Sequence, residues 1–231
     1  MHVKNQTNHT GQFLHEMADG IGARTRWKGR REPFYRTQTV LHHTFEGMLL
    51  TKIVIDLEMA HGNTSFDPYI LMSMALVHDL SEAHLDDLIL AVKSKRGIRA
   101  MYKALEQEIF LAMTDDLPSD ISQGLNQAFI LSSQSAESAE AKLFAAIEEL
   151  GYVLDALCAL DNDKKSYIDV LTHHYRNIER LSLNYPSIKR LFELAKPAID
   201  RYIKQLEPTF FQAQKVLFNQ PPAPGTVSPR Q

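Results

Sequence analysis

Apolar residues recur at spacings of three and four along nearly the whole chain, and runs of alternating β-branched residues are absent. This periodicity is typical of amphipathic helices, so we expect an all-α fold. It predicts helices over residues 39–60, 98–113, 136–159, 166–184 and 187–206, with two more beginning near residues 67 and 119. A 231-residue chain of this kind can bury a substantial core, and we expect one helical-bundle domain over residues 25–206.

The two ends of the chain differ from this pattern. Residues 1–24 are polar and contain glycine, so we expect a flexible N-terminal arm with at most a short helix. The chain ends in QPPAPGTVSPRQ, a composition rich in proline and polar residues. This composition predicts a disordered tail over residues 207–231.

Two of the predicted helices carry histidines on faces that we expect to be buried. In the helix over residues 39–60, His43 lies among apolar residues assigned to the inner face, namely Leu41, Phe45, Met48, Leu49 and Ile53. The next helix begins where Asp67 precedes Pro68, a typical N-cap followed by proline at the first helical position. Its inner face is expected to hold Ile70, Leu71, Met74 and Ala75, and His78 continues that face.

Composition excludes several classes of function. Lysine and arginine number 25 against 28 aspartates and glutamates, so the net charge of −3 gives no bulk attraction to duplex nucleic acid or to an anionic membrane. The single cysteine, Cys158, cannot form an internal disulfide or a cysteine-based zinc site. The longest apolar run, YILMSMALV, is too short to span a bilayer, and the N-terminus lacks the apolar core of a signal peptide. We therefore expect a soluble, cytoplasmic protein.

Candidate chemistry concentrates in ALVHDLSEAHLDDL, residues 75–88. His78 continues the apolar face, and Glu82 follows one turn later on the same side, which places an imidazole and a carboxylate in the interior. A divalent metal would compensate their burial, because both groups are ligands for zinc, manganese, cobalt or iron. His43 is the candidate ligand from a second helix. The alternative is that His43 and His78 are hydrogen-bonded core histidines.

Five segments in order carry a resemblance to a known family: RW at 26–27, VLHHTFEGML at 40–49, the stretch at 75–88, AVKSK at 91–95, and EAKLFAAIEELGYVLDAL at 140–157. Together they resemble the HD-domain metal-dependent phosphohydrolases, and most closely their bacterial 5′-deoxynucleotidase branch. The resemblance covers roughly residues 24–160 and implies a helical HD-domain fold with a divalent metal, Mn, Co, Mg or Zn, with Fe not excluded.

The resemblance also implies roles for individual residues. The metal ligands would be His43, His78, Asp79 and Glu148. Glu82 and Asp87 would be the catalytic carboxylates that orient and deprotonate the attacking water. Arg26, Trp27 and Lys93 would bind the substrate, with the two cations neutralising its phosphate.

The chain departs from the family pattern in two places. Glu148, followed by Glu149, occupies the position where the family has its last metal-binding aspartate. After Asp87, the family's TGDLPTPVK-like segment reads LDDLILAVK. Structural alternatives also stay open, since Glu82 and Asp87 could belong to a solvated helix end, Arg26 to a basic surface patch, and Trp27 to the core.

The expected function is removal of phosphate from deoxyribonucleoside 5′-monophosphates by a metal-activated water, with the nucleotide as the partner molecule. One alternative within the same chemistry is a triphosphohydrolase that releases triphosphate from deoxynucleoside triphosphates, or a cyclic-nucleotide or (p)ppGpp hydrolase. Two others are a di-iron HD oxygenase and a non-catalytic nucleotide-binding protein. The helices after residue 163 are compatible with a homodimer, but nothing in their pattern requires one.

Overall fold

The computed structural model describes residues 3–27, 30, 32–34, 36–85, 96–133 and 138–204. These residues form eight α-helices and two short 3₁₀ turns, Leu80–Ala83 and Lys165–Tyr167. The helices are α1 (Val3–Ala23), α2 (Val40–Ala60), α3 (Pro68–Val77), α4 (Arg96–Thr114), α5 (Ser119–Ser133), α6 (Ala139–Asp161), α7 (Ile168–Ser182) and α8 (Pro186–Lys204). Extended pairing in the described part of the chain is limited to an isolated bridge between Thr25 and Thr39. The predicted all-α fold is confirmed.

Helix α6 lies at the centre of the bundle and packs against α2, α3, α5, α7 and α8. Its apolar residues Leu143, Ile147 and Leu150 follow helical spacing and are almost fully buried. The helix begins at Ser138, whose hydroxyl accepts a hydrogen bond from the Ala141 amide at 3.0 Å. Because five helices pack on α6, its orientation about its own axis determines which of its side chains contact each of them.

Helix α1 replaces the flexible arm that was expected over residues 1–24. Met17 and Ile21 are buried in the main core, and Phe13 packs against it, so the spacing of four is a helical stripe. Gly20 lets α1 approach the first 3₁₀ turn closely, because a Cβ at this position would lie 2.7 Å from the Ala83 Cβ. The structure thus has a helix over Val3–Ala23, where we expected a loose arm with at most a short helix. The predicted tail, 207–231, lies outside the described residues.

Helix α2 faces the core with a different side from the one predicted. Four of the five residues assigned to its inner face are between 42% and 60% exposed, namely Leu41, Phe45, Leu49 and Ile53. The buried face instead combines apolar and polar residues: Val40, His43, Thr44, Thr51, Val54, Ile55 and Glu58. Helix α2 has apolar residues on all of its sides, so helical periodicity could not identify its buried face.

Helix α3 follows the prediction closely at its start. The Asp67 carboxylate accepts from the amides of Tyr69 and Ile70, and Pro68 occupies the first helical position. Of the four residues predicted to face inward, Leu71, Met74 and Ala75 are fully buried, and Ile70 is half-buried. The helix ends at Val77, and His78 and Asp79 lead into the turn Leu80–Ala83.

The last two helices close the bundle. Helices α7 and α8 pack on each other and on α6, with fully buried contacts from Leu171, Ile178, Ile188 and Ile199. The buried carboxylate of Glu58 on α2 accepts a hydrogen bond of 2.9 Å from the Ser187 amide, which joins α8 to α2. Within the described ranges, no helix combines the length and apolar character needed to cross a bilayer.

Candidate metal centre

Three side chains from two elements bring their donor atoms together. His43 projects from the first turn of α2, while His78 and Asp79 follow the end of α3. The His78 Nε2 and Asp79 Oδ2 atoms are 3.3 Å apart, and the His43 Nε2 lies 3.4 Å from the same carboxylate oxygen. The two Nε2 atoms are separated by 3.5 Å. Each of the three residues thus offers a ligand atom within 4.8 Å of the others.

The donor set fits a divalent metal ion. The His78 Nδ1 lies 2.9 Å from the Ala75 carbonyl oxygen, and because that oxygen only accepts, the proton of the neutral ring lies on Nδ1. The Nε2 lone pair therefore points to the cluster, as in histidine ligands oriented by a backbone carbonyl. Ligands about 2.0–2.1 Å from a tetrahedral metal are roughly 3.3–3.4 Å apart, close to the separations found here.

Two consecutive glutamates of α6 point to different neighbours. The Glu148 Oε1 lies 3.7 Å from the His78 Nε2, so this carboxylate borders the cluster. Glu149 contacts α7 instead. Its Oε2 lies 2.7 Å from the His174 Nδ1, and its Oε1 accepts a hydrogen bond of 3.3 Å from the side-chain amide of Asn177. The structure thus brings Glu148, and not Glu149, to the three-residue cluster.

Burial and mutual charge set the protonation of the cluster. Burial and the nearby Arg26 charge hold the pKa of His43 well below its ordinary value. Burial opposes protonation of His78 as well, but the charges of Asp79 and Glu148 outweigh it and raise the pKa of His78 to about 10. Burial raises the pKa of Glu148. Since a ligand imidazole must be neutral, metal binding has to release the proton of His78.

Arg26 lies beside this cluster, and Trp27 follows it in the chain. Arg26 is only 9% exposed, and its charge adds to the effect of burial in lowering the pKa of His43 and to that of the two histidines in lowering the pKa of Asp79. Its guanidinium carbon is 5.6 Å from the centre of the Trp27 ring and 5.8 Å from that of Tyr152. Trp27 also stacks on Phe34, with ring centres 5.7 Å apart. Arg26 is therefore part of the interior beside the cluster and not of a surface patch.

The turn after Asp79 carries the first predicted catalytic carboxylate. Glu82 is 4% exposed, and its amide donates to the Asp79 carbonyl at 3.0 Å. The Arg24 guanidinium fixes the end of this turn with hydrogen bonds of 3.2 and 3.3 Å to the Ala83 carbonyl. Glu82 is thus buried and does not belong to a solvated helix end. Asp87 and Lys93, also predicted site residues, lie outside the described residues.

Sequence reasoning missed two neighbours of the Arg26–Trp27 pair. Gln38 is 1% exposed, and its side-chain oxygen accepts from the indole nitrogen of Trp27 at 2.7 Å. The Tyr152 ring stacks on His174, with ring centres 4.5 Å apart. These contacts join separate elements, and no local motif in the sequence signals them.

Comparison with known proteins assigns the chain to a family. The 5′-deoxynucleotidase YfbR-like family matches residues 14–199. The chain belongs to this family. The match begins inside α1 and ends inside α8, so it includes every element that contributes to the candidate metal centre.

Relatives of the YfbR-like chain are distant in sequence and similar in fold. It is 23% identical over 173 residues to the 4′-phosphooxetanocin A phosphatase of Priestia megaterium, which covers 73% of this chain and 84% of the relative. An HD-domain phosphohydrolase from Listeria innocua has a TM-score of 0.72 at 15% identity and covers 90% of this chain and 99% of its own. A predicted metal-dependent phosphohydrolase from Magnetospirillum magnetotacticum has a TM-score of 0.60 at 14% identity, covering 86% and 96%.

These findings confirm the predicted family and the HD-domain fold. Family and fold together make the protein a metal-dependent phosphohydrolase of the HD class. The cluster of two histidines and an aspartate provides a place for a divalent metal in this YfbR-like enzyme.

Proposed function

We propose that this protein hydrolyses the phosphate ester of deoxyribonucleoside 5′-monophosphates. The observation that carries the proposal is the convergence of His43, His78 and Asp79, bordered by the buried Arg26, in a chain that matches the YfbR-like 5′-deoxynucleotidases over residues 14–199. The distant relative named as a phosphatase supports phosphate release as the reaction. A buried arginine beside a metal centre is suited to a bidentate contact with a phosphate group.

The residues that would hold the metal are His43, His78, Asp79 and Glu148. Imidazole and carboxylate donors without a thiolate suit Mn²⁺, Co²⁺ or Zn²⁺, with Mg²⁺ and Fe²⁺ as alternatives. When bound, such an ion polarises a phosphate oxygen and lowers the pKa of water. Glutamate at position 148 reaches further than the family's aspartate, and its placement 3.7 Å from the His78 Nε2 supports a role as the last ligand.

The remaining roles fall to side chains around the cluster. Glu82, buried in the turn after Asp79, would orient and deprotonate the attacking water together with Asp87. Arg26 and Lys93 would neutralise the phosphate, and Trp27 would contact the sugar. Because the chemistry of phosphoryl transfer is mostly positioning and charge stabilisation, these residues act by holding groups in place.

Phosphate release from a panel of nucleotides tests this proposal. Purified protein would be assayed with deoxyribonucleoside and ribonucleoside mono- and triphosphates in the presence of Mn²⁺, Co²⁺, Zn²⁺ or Mg²⁺. We expect inorganic phosphate from the deoxyribonucleoside monophosphates and at least tenfold less from the other substrates. Release of triphosphate would instead support the triphosphohydrolase, and oxygen consumption by an iron-loaded sample would support the oxygenase. Nucleotide binding without turnover under any metal would support a non-catalytic protein.

A further inference from the structure

The backbone at Trp27 has a conformation that needs support. Its φ angle of 63° lies in the left-handed region, which L-residues other than glycine, asparagine and aspartate rarely adopt. Among the described residues, Asp163 is the only other non-glycine residue with a positive φ. Such a conformation costs free energy and persists only where the surrounding structure holds it, commonly at functional sites.

Gln38 binds the Arg26–Trp27 pair through both its backbone and its side chain. Its carbonyl oxygen accepts a hydrogen bond of 2.8 Å from the Arg26 amide. Its side-chain oxygen accepts one of 2.7 Å from the Trp27 indole nitrogen. A single residue that precedes α2 therefore fixes the main chain of Arg26 and the ring of Trp27 at the same time.

The Gln38 amide is itself held in one orientation. Its Nε2 donates to the Glu46 Oε2 at 2.8 Å, and its side chain also hydrogen-bonds the Asp155 carboxylate. Glu46 in turn forms an ion pair with Arg36. Because carboxylates only accept, the amide nitrogen must face them, and the amide oxygen must face the indole. Because Gln38 is only 1% exposed, water cannot replace these hydrogen-bond partners.

The orientation of the Trp27 ring affects Arg26. The guanidinium carbon of Arg26 is 5.6 Å from the centre of the Trp27 ring and 5.8 Å from that of Tyr152, and the two rings meet edge to face. The guanidinium thus has two aromatic neighbours at distances typical of cation–π contacts. Rotation of the indole away from Gln38 would remove one of these neighbours.

We propose that Gln38 is a positioning residue, which sets the Trp27 ring and the Arg26 guanidinium in the geometry that receives the substrate phosphate. This inference rests on the proposed function. Gln38 does not contact the reacting atoms in this account and acts through Trp27 and the Arg26 main chain. The contacts that join His43, His78 and Asp79 do not include the Gln38 side chain, so its loss should leave metal binding intact.

The first test replaces Gln38 by methionine, which has a similar size and keeps the backbone bond to Arg26 but makes none of the side-chain hydrogen bonds to Trp27, Glu46 and Asp155. For Gln38→Met we expect kcat/KM for a deoxyribonucleoside monophosphate to fall at least tenfold, mainly through KM, with Mn²⁺ affinity within twofold of the wild type. The matched control is Gln12→Met on α1, an exposed glutamine whose side-chain amide donates to Glu16 in the same helix, and it should leave both quantities unchanged. A kcat/KM within twofold of the wild type, or a parallel loss of Mn²⁺ affinity, would overturn the inference.

The second readout is fluorescence, because Trp27 is the only tryptophan of the chain. In Gln38→Met we expect a shifted Trp27 emission maximum in a protein that circular dichroism shows to be folded. Added inorganic phosphate should change this emission less than in the wild type. A role limited to stability would lower the melting temperature and leave the emission of the folded protein unchanged. This readout needs no turnover, so it tests Gln38 even if the nucleotidase proposal fails.

The variant Trp27→Phe covers the case in which Gln38→Met folds poorly, and a double-mutant cycle of the two tests the route from Gln38 through Trp27. Phenylalanine keeps a ring against Phe34 and removes the indole donor, so it cuts the same hydrogen bond from the other end. If Gln38 acts through Trp27, the loss in kcat/KM caused by Gln38→Met should shrink to less than threefold in the Trp27→Phe background. Fully additive losses would contradict the proposed route.

Discussion

At the scale of single residues, the adjacent pair Glu148 and Glu149 allows a sharp test of the metal centre. Only Glu148 approaches the histidines, while both oxygens of Glu149 are engaged by α7. We predict that Glu148→Gln weakens Mn²⁺ binding at least tenfold, because the substitution removes a charged ligand. Glu149→Gln, one position along the same helix, should change Mn²⁺ affinity less than twofold. Calorimetric titration of both variants measures this, and equal losses would show that the assignment to Glu148 is wrong.

A second prediction concerns Asp155, which lies on α6 near the Gln38 network. Burial raises the pKa of Asp155 to about 6, with Arg26 opposing the shift and Glu46 adding to it. Because this folded-state pKa lies above the ordinary carboxyl value, the folded protein binds more protons than the unfolded chain between roughly pH 4 and 6. The contribution of Asp155 to stability is therefore fully present below about pH 4 and is lost as pH rises through 6.

Asp155→Asn should remove this dependence. We expect the variant and the wild type to have similar free energies of unfolding at pH 4, and the variant to be more stable at pH 7 by on the order of 1–3 kcal/mol. Urea unfolding of both proteins between pH 4 and 7.5 gives the difference directly, and other titrating groups cancel in it. A stability difference that stays constant with pH would contradict the assigned pKa.

Sequence reasoning reached the metal cluster more readily than its surroundings. The family resemblance pointed to His43, His78, Asp79 and Glu148 because the motifs that carry them are short and local; the structure brings the first three together and places Glu148 at their border. Gln38 could not be found in this way, because its importance depends on a bridge between the residues after α1 and those before α2. A buried glutamine has no sequence signature until its partners are known.

At the scale of elements, helix α1 and the turn Leu80–Ala83 depend on a close approach at Gly20. A Cβ at Gly20 would meet the Ala83 Cβ at 2.7 Å, whereas one at Gly22 would have its nearest neighbour at 3.8 Å. We predict that Gly20→Ala destabilises the protein by about 1–3 kcal/mol, because the turn that carries Glu82 must shift. Gly22→Ala, the control in the same helix, should be neutral or slightly stabilising, because alanine favours helix.

Thermal unfolding and phosphate release would be measured together on these two variants. A displaced turn should lower activity in Gly20→Ala at temperatures where the protein is still folded. Equal stability of the two alanine variants would show that α1 does not pack against the turn as described.

Helices α1 and α2 show that sequence periodicity alone does not identify which residues are buried. The polar composition of residues 1–24 suggested a loose arm, but three apolar residues at a spacing of four are enough to attach α1 to the core. Helix α2 carries apolar residues on opposite sides, and its buried side includes Thr44, Thr51 and Glu58. Thr44 and Glu58 are buried with partners: the Thr44 hydroxyl donates to the Val40 carbonyl in the same helix, and the Glu58 carboxylate accepts from the Ser187 amide of α8. Such long-range partners decide which side is buried, and no local pattern contains them.

At the scale of the whole molecule, the proposed metal site joins elements that are far apart in sequence. His43 comes from α2, His78 and Asp79 from the end of α3, and Glu148 from α6, which packs on both of these helices. A ligand that binds only the folded state therefore stabilises the entire bundle. At 100 times its dissociation constant, Mn²⁺ should add about 2.7 kcal/mol to the free energy of unfolding.

For a chain of this size that gain corresponds to a rise in melting temperature of roughly 5–10 °C. We expect the rise in the wild type and its absence in His43→Ala, where the ligand from α2 is missing. Differential scanning fluorimetry with and without the ion measures both. A rise of the same size in the variant would place the stabilising ion elsewhere.

The class of fold and the family were predictable from the whole sequence, because helical periodicity extends along most of the chain and the motifs keep their order. The domain limits at residues 25 and 206, the homodimer and the identity of the substrate stay predictions. In our proposal, substrate choice depends on side chains that bind the phosphate and the sugar, and Asp87 and Lys93, which lie outside the described residues, are candidates for them. A metal-binding motif does not determine such choices, since one site can serve several phosphohydrolase reactions.

We propose that His43, His78, Asp79 and Glu148 hold a divalent ion that is required for phosphate hydrolysis. The most direct test strips the protein with a chelator, titrates Mn²⁺ back, and follows bound metal and phosphate release from a deoxyribonucleoside monophosphate in the same samples. In the wild type we expect phosphate release to rise in parallel with bound metal and to level off at one ion per chain. Asp79→Asn should lose at least a hundredfold in activity. Asp56→Asn, on the exposed side of α2, should behave as the wild type. Full activity in the stripped protein, or in Asp79→Asn, would contradict the account.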